Sequence, residues 1–154
     1  MLGLAFNWGA LMGWPALHGG GELGLAHTLP LYAAGVCWTL VYDTLYGYQD
    51  RRDDAKLGLK STSLHLGDRP QVALTVLVAG TAGGLLVAGH SVGLVLTPVP
   101  VFALGVAGVG THLLWQVWTA DVDDPRNLWR RFHSNQYTGA AVLAAIVAGK
   151  LAAG

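Results

Sequence analysis

The chain reads as an all-α, polytopic transmembrane bundle of about four to five helices, counted from apolar runs of about 20 residues. Three observations predict this. Of the 154 residues, 53% are hydrophobic and only 12% are charged, whereas a soluble domain carries about a quarter charged residues. Mean hydropathy is positive. Apolar runs of membrane-crossing length alternate with short polar segments. The formal net charge is zero, so no basic tail for nucleic acid is implied.

Taken in order, residues 1–17 are apolar, carry Trp8 and Trp14, and stop near Pro15. The run is short for a span, so it reads as an incomplete span or an interfacial helix. His18-Gly-Gly-Gly-Glu22 is a turn-prone loop, and no second ligand stands at metal spacing from His18. His27 to Gln49 is the best complete span, with Pro30 tolerated near its first turn. Residues 50–70 form a polar loop. Gln71 to Ala88 is a second complete span, in which Gly80, Ala82, Gly83 and Gly84 permit close helix approach. Leu94 to Ala120 is a third. Pro98 and Pro100 lie at its start, Gly105, Gly108 and Gly110 are its packing residues, and Trp115 and Trp118 suit an interfacial belt. Residues 121–132, DVDDPRNLWRRF, read as a second polar loop, and His133 to Ala152 as the last span. Lone Cys37 and His112 read as core residues, and Asn135, Gln136 and Tyr137 as positioning the last helix. Lys and Arg crowd the segments at 51–69 and 126–131 and are absent from 15–27 and 89–97. Alternate connections therefore share a side, as the positive-inside rule expects.

The chemistry-bearing stretch is Tyr42 to Asp54. On one continuous helix, Asp43, Asp50 and Asp54 fall at i, i+7 and i+11, with Tyr46 and Asp53 close to the same face. Clustered carboxylates repel unless a cation sits among them. Mg²⁺ is the natural guest, because it takes one or two carboxylates plus substrate phosphate oxygens. Lys56, Lys60, Ser61, Thr62 and Arg69 supply cations and hydroxyls suited to phosphate. The plainer alternative is a solvated run of mixed charge where a helix leaves the membrane. Asp43 argues against it: a carboxylate flanked by Trp38, Leu40, Val41 and Leu45 is costly in a membrane and marks a functional site.

The stretch WTLVYDTLYGYQDRRDDAKLGLKSTSLHLG, Trp38 to Gly67, resembles the second aspartate-rich motif of the UbiA superfamily of intramembrane prenyltransferases. It is most similar to the 4-hydroxybenzoate polyprenyltransferase branch of ubiquinone biosynthesis. LGLAFNWGALMGW near the start and WRRFHSNQYTG near the end are similar to the mitochondrial members. The resemblance covers nearly all of residues 1–154. It implies transfer of a polyprenyl group from polyprenyl diphosphate to 4-hydroxybenzoate, with Mg²⁺ as cofactor. By it, Asp50 and Asp54 are catalytic and hold Mg²⁺ through the diphosphate. Asp43, Tyr46 and Lys60 contact substrate. The bundle lies in the mitochondrial inner membrane with its site at the matrix face, or in a bacterial inner membrane facing the cytoplasm.

The family also carries a first motif, Asn-Asp-x-x-Asp-x-x-x-Asp, and a tyrosine–lysine motif, both absent here. The chain is thus expected to be the C-terminal half of such a bundle, to lack its N-terminal partner half, and to be inactive or nearly so by itself. Two other readings stay open. One is another branch of the superfamily, with homogentisate or a haem precursor as acceptor. The other is a non-catalytic membrane scaffold.

Overall fold

The computed structural model describes residues 2–20, 23–95 and 100–153, and every regular element in them is helical. Two short helices, α1 (Leu2–Phe6) and α2 (Gly9–Leu17), precede the long α3 (Leu25–Gly47). A 3₁₀ turn (Tyr48–Asp50) leads into α4 (Arg51–Leu57) and α5 (Thr62–Leu66). Three long helices follow: α6 (Gln71–Ser91), α7 (Val101–Trp118) and α8 (Pro125–Ala153). Glu22 and Pro98 lie outside the described residues.

Sequence punctuation sets most of these limits. Pro70 and Pro100 immediately precede α6 and α7, where a proline's missing N–H costs nothing. Gly58 ends α4 at φ 68°, a left-handed conformation that glycine adopts without a Cβ penalty. Gly24, at φ 54°, precedes α3, and the Trp14 indole lies 2.5 Å from where its Cβ would stand. A side chain there would be both strained and crowded.

The long helices form a ring. α3 packs on α6, α6 on α7, α7 on α8, and α8 closes against α3, while α1 and α2 lie on the outside of α3. The core runs through Ala34, Val41 and Leu45 of α3, Leu74, Val78 and Leu85 of α6, and Phe102, Val106, Val109, Leu113 and Val117 of α7. Close approach holds these helices together, since lipid tails are as apolar as leucine and offer no hydrophobic drive between helices. A Cβ on Gly84 would meet the Pro30 carbonyl oxygen at 2.7 Å and Ala34 at 2.9 Å, and one on Gly105 would collide with Ala145. Gly83, Gly108 and Gly110 face open space, so they are not packing residues here. Cys37 packs as expected, its sulfur 3.0 Å from the site of a Cβ on Gly80. Apolar side chains such as Val72, Val76, Leu104, Leu143, Val147 and Leu151 point outward, the surface a bilayer requires.

Three helices, α6, α7 and α8, are long and apolar enough to cross a membrane. The span expected at His27–Gln49 is corrected in one respect. α3 has the length, with 23 residues, but is not among those three. Thr28, Thr39, Thr44, Asp43 and its aromatics dilute it. As the helix that touches α1, α2, α6 and α8, it can carry polar groups that neighbours cover. The 121–132 loop is also corrected. Only 119–124 is irregular, and α8 starts at Pro125, eight residues before His133. Asp124 Oδ1 accepts the Arg126 N–H at 2.9 Å and Pro125 sits first in the helix, so these polar residues start a helix instead of merely solvating a turn. The 50–70 loop likewise consists largely of α4 and α5.

The expected sidedness holds. Tyr48, Arg51 and Arg52 line one cavity together with Asp123 and Pro125, and the Trp118 indole N–H donates to Thr75 Oγ1 at 3.2 Å. The α3–α6 and α7–α8 connections therefore meet at one end. Every Lys and Arg except Lys150 belongs to that end.

Candidate functional site at the basic end

The site is built on the break between α3 and α4. Tyr48 is buried at this break, and its hydroxyl donates to the Gly67 carbonyl at 2.7 Å. That bond ties the end of α5 to the end of α3. Burial pushes the Tyr48 phenol above its ordinary range, and the neighbouring Arg51 charge works against the rise. Arg51 lies over the Tyr48 ring, 5.6 Å from its centre, and forms an ion pair with Asp68 at 2.7 Å. Lys56 pairs with Asp53 at 2.8 Å and holds that carboxyl below the usual carboxylate range.

These two pairs decide which acids remain available. Among the described residues, Asp43, Asp50 and Asp54 have no ion pair. Asp50 precedes α4 without a side-chain capping bond. Asp54 follows one turn later, so the two carboxylates stand at i and i+4 on neighbouring positions. Asp54 is half-buried and Asp50 exposed. Like charges at this spacing destabilise an isolated helix by about 0.2–0.5 kcal/mol, so nothing in the local fold requires the pair.

The expected single face from Asp43 through Asp54 is corrected. Three residues of 3₁₀ turn intervene. At three residues per turn instead of 3.6, they rotate α4 by about 60° relative to a continuous helix. Asp50 and Asp54 stay together, Asp43 remains within about 40° of Asp50 but turns about 80° from Asp54, and Tyr46 leaves their face. Tyr46 packs against α8, with ring centres 4.7 Å from Phe132 and 6.3 Å from Trp129. Asp53 is drawn to Lys56 and leaves the set. Asp43 is half-buried in α3, one turn beyond Thr39, whose hydroxyl accepts from the Asn7 amide at 2.8 Å. Lys60 stands apart, lining a cavity of about 480 Å³ with Ser61, Thr62 and His65. Ser61 and Ser63 share a hydrogen bond at 3.0 Å beside it.

Beside α3 runs a groove of about 350 Å³ lined by Phe6, Trp38, Tyr42, Phe132 and Asn135, among others. Behind it lies a network that sequence reasoning missed. The Trp38 indole N–H donates to Asn135 Oδ1 at 2.8 Å, and Asn135 Nδ2 donates to Gln116 Oε1 at 3.2 Å. Gln116 is fully buried. The network joins α3, α7 and α8, which gives Asn135 its positioning role. His112 is a satisfied core histidine, 2.9 Å from Thr138 Oγ1.

Among the described residues, no group of three or more His, Cys, Asp or Glu converges as a closed metal cage. The available set is two carboxylates one turn apart. Such an oxygen-only, incomplete set fits Mg²⁺, which keeps waters and shares its shell with substrate phosphate. It does not fit Zn²⁺, whose sites draw on thiolate and imidazole.

The sequence profile described as the UbiA prenyltransferase family matches residues 1–147. Curated relatives match nearly the whole chain. A protein of Drosophila melanogaster is 43% identical over 98% of the chain and 37% of its own length. One of Homo sapiens is 42% identical over 97% and 39%, and one of Arabidopsis thaliana 41% over 97% and 35%. Each is named 4-hydroxybenzoate polyprenyltransferase, mitochondrial. The chain thus spans little more than a third of the length of these relatives. No solved structure matches.

Proposed function

Because this chain belongs to the UbiA prenyltransferase family, we propose that it is the aspartate-bearing portion of an enzyme that transfers a polyprenyl group from polyprenyl diphosphate to 4-hydroxybenzoate. The observation that carries the reading is the unpaired Asp50–Asp54 couple at the basic end, beside Arg51 and Lys56, which pair with Asp68 and Asp53 instead. The protein is integral to a mitochondrial membrane, as the relatives' names and the apolar helices support. We place it in the inner membrane with the aspartates on the matrix side, where basic connections belong.

In this reading Asp50 and Asp54 would hold Mg²⁺, with the diphosphate as its other partner. When bound, the ion supplies electrostatic stabilisation of the charge that develops on the leaving diphosphate. The rest falls to the chain. Lys60, with Ser61 and Thr62, offers a cation and hydroxyls to phosphate oxygens. Asp43 lies toward the membrane interior from the pair and orients groups at the reacting end. Trp38, Tyr42 and Phe132 line the groove against which the allylic portion and the aromatic ring can lie, and they keep water from the reactive carbon. Tyr46 supports that wall by packing on Phe132. The remaining length of the relatives would cover the open face that bears the acids and contribute the other aspartate motif.

The experiment is a chimaera. This chain is joined to the preceding portion of the Drosophila relative, expressed without host prenyltransferase, and assayed for prenylated 4-hydroxybenzoate by mass spectrometry. We expect product from the chimaera, none from the chain alone, and none from an Asp50→Ala chimaera. Preference for homogentisate would assign the chain to another branch. Activity that survives Asp50→Ala would overturn the proposal.

A further inference from the structure

At the basic end a second polar cavity, of about 500 Å³, lies between the α3–α4 break, α5 and the α7–α8 connection. Its walls include Gln49, Arg51, Arg52, Ala55, Leu64, Val122 and Asp123, and neither Asp50 nor Asp54 lines it. By helical spacing Arg52 and Ala55 lie on the side of α4 away from the acid pair, so this is a separate place. Three features point to an occupant. The Gln49 side-chain nitrogen is buried in its wall without a hydrogen-bond partner, a polar group left unsatisfied. Arg52 and Asp123 both face the cavity, yet no ion pair joins them, and neither has another among the described residues. Arg51 is neutralised by Asp68. The cavity therefore offers a cation on the α4 side and an anion on the α7–α8 side.

A purely anionic guest would meet Asp123, and a purely cationic one would meet Arg52. A guest carrying both signs satisfies each wall. The membrane interface supplies such a group in quantity. Trp118 and Trp129 are exposed at this end, at the level where aromatic belts meet headgroups. We propose that the cavity binds the headgroup of phosphatidylethanolamine. Its phosphodiester accepts from Arg52, its ammonium donates to Asp123, and Leu64, Val122 and Ala55 meet the adjoining carbons.

The test is native mass spectrometry of the protein after reconstitution in vesicles of equimolar phosphatidylethanolamine, phosphatidylcholine and phosphatidylglycerol. Phosphatidylethanolamine should be retained at least fivefold over either other lipid. Arg52→Ala should reduce its retention at least fivefold, and Asp123→Asn should abolish its preference over phosphatidylglycerol. Both residues are exposed, and unchanged helicity by circular dichroism verifies folding. Lys150→Ala, at the other end, should change nothing. Equal retention of the three lipids, a preference for phosphatidylglycerol, or indifference to both substitutions would overturn the proposal. So would equal competition by inorganic phosphate, which would make the site one for a free anion.

Discussion

Helices α3 and α6 share the most extensive contact among the described helices, yet they differ in nearly everything else. The residues α6 buries are Leu74, Val78, Thr81, Leu85 and Gly89, and it runs unbroken for 21 residues. α3 buries Thr28, Thr39 and Thr44 beside Ala34, Val41 and Leu45, carries Asp43, and gives way to a 3₁₀ turn at Tyr48. α6 turns Val72, Val76 and Val87 outward, which suits lipid. α3 is surrounded by protein on several sides. The difference teaches that polar chemistry in a bundle goes to the helix whose neighbours shield it. The smooth helix serves as its support.

The comparison breaks most completely at the contact itself. Gly84→Leu would push α6 off the Pro30 carbonyl and Ala34. Overpacking of this kind costs about 1–3 kcal/mol or more, so the yield of folded, monodisperse protein in detergent should fall sharply. Gly83→Leu, one position along, faces open space and should leave the yield and thermal midpoint near those of the parent. If the two behave alike, the α3–α6 register described here is wrong.

A smaller effect sharpens the comparison on the α8 side. Asn135→Ala leaves fully buried Gln116 and the Trp38 N–H without their partner. Polar pairs between membrane helices are worth about 0.6–1.7 kcal/mol, so a drop of that size in thermal stability is expected. In a double-mutant cycle, Gln116→Leu added to Asn135→Ala should cost less than the sum of the two. Strict additivity would show that the network carries no coupling.

These same residues show what the sequence could and could not disclose. The start of α6 was readable because Pro70 marks it, whereas the third span was read from Leu94, seven residues before α7 begins behind Pro100. The start of α8 was read eight residues late, since Asp123, Asp124, Arg126, Arg130 and Arg131 look like a solvated turn until Asp124 is seen capping the helix. The Asp50–Asp54 couple was legible from i, i+4 spacing. The separation of Tyr46 from it was not, because no residue type announces a 3₁₀ turn at 48–50. Gln116 was invisible: its partner is 19 residues away, on another helix, and no periodicity links them.

The smallest expected effect concerns the break. Tyr48→Phe removes the bond to Gly67 and should cost about 1 kcal/mol, read as faster hydrogen exchange over residues 58–67 with little change in the transmembrane helices. The phenol's raised range has a pH consequence. A group whose folded value is raised contributes stability in full below its ordinary value near 10, and that stability is lost as pH rises through the folded value. Protection of 58–67 should therefore weaken above about pH 10 in the parent, and Tyr48→Phe should lack this step.

The central claim is that Asp50 and Asp54 together hold a divalent ion against a diphosphate. It is tested most directly by titrating geranyl diphosphate into the purified protein with and without Mg²⁺ and following the heat of binding. The account predicts weak binding that needs Mg²⁺ and drops at least tenfold in either Asp50→Asn or Asp54→Asn, with Asp53→Asn close to the parent. Binding that is indifferent to Mg²⁺, or equal in all four proteins, would contradict it.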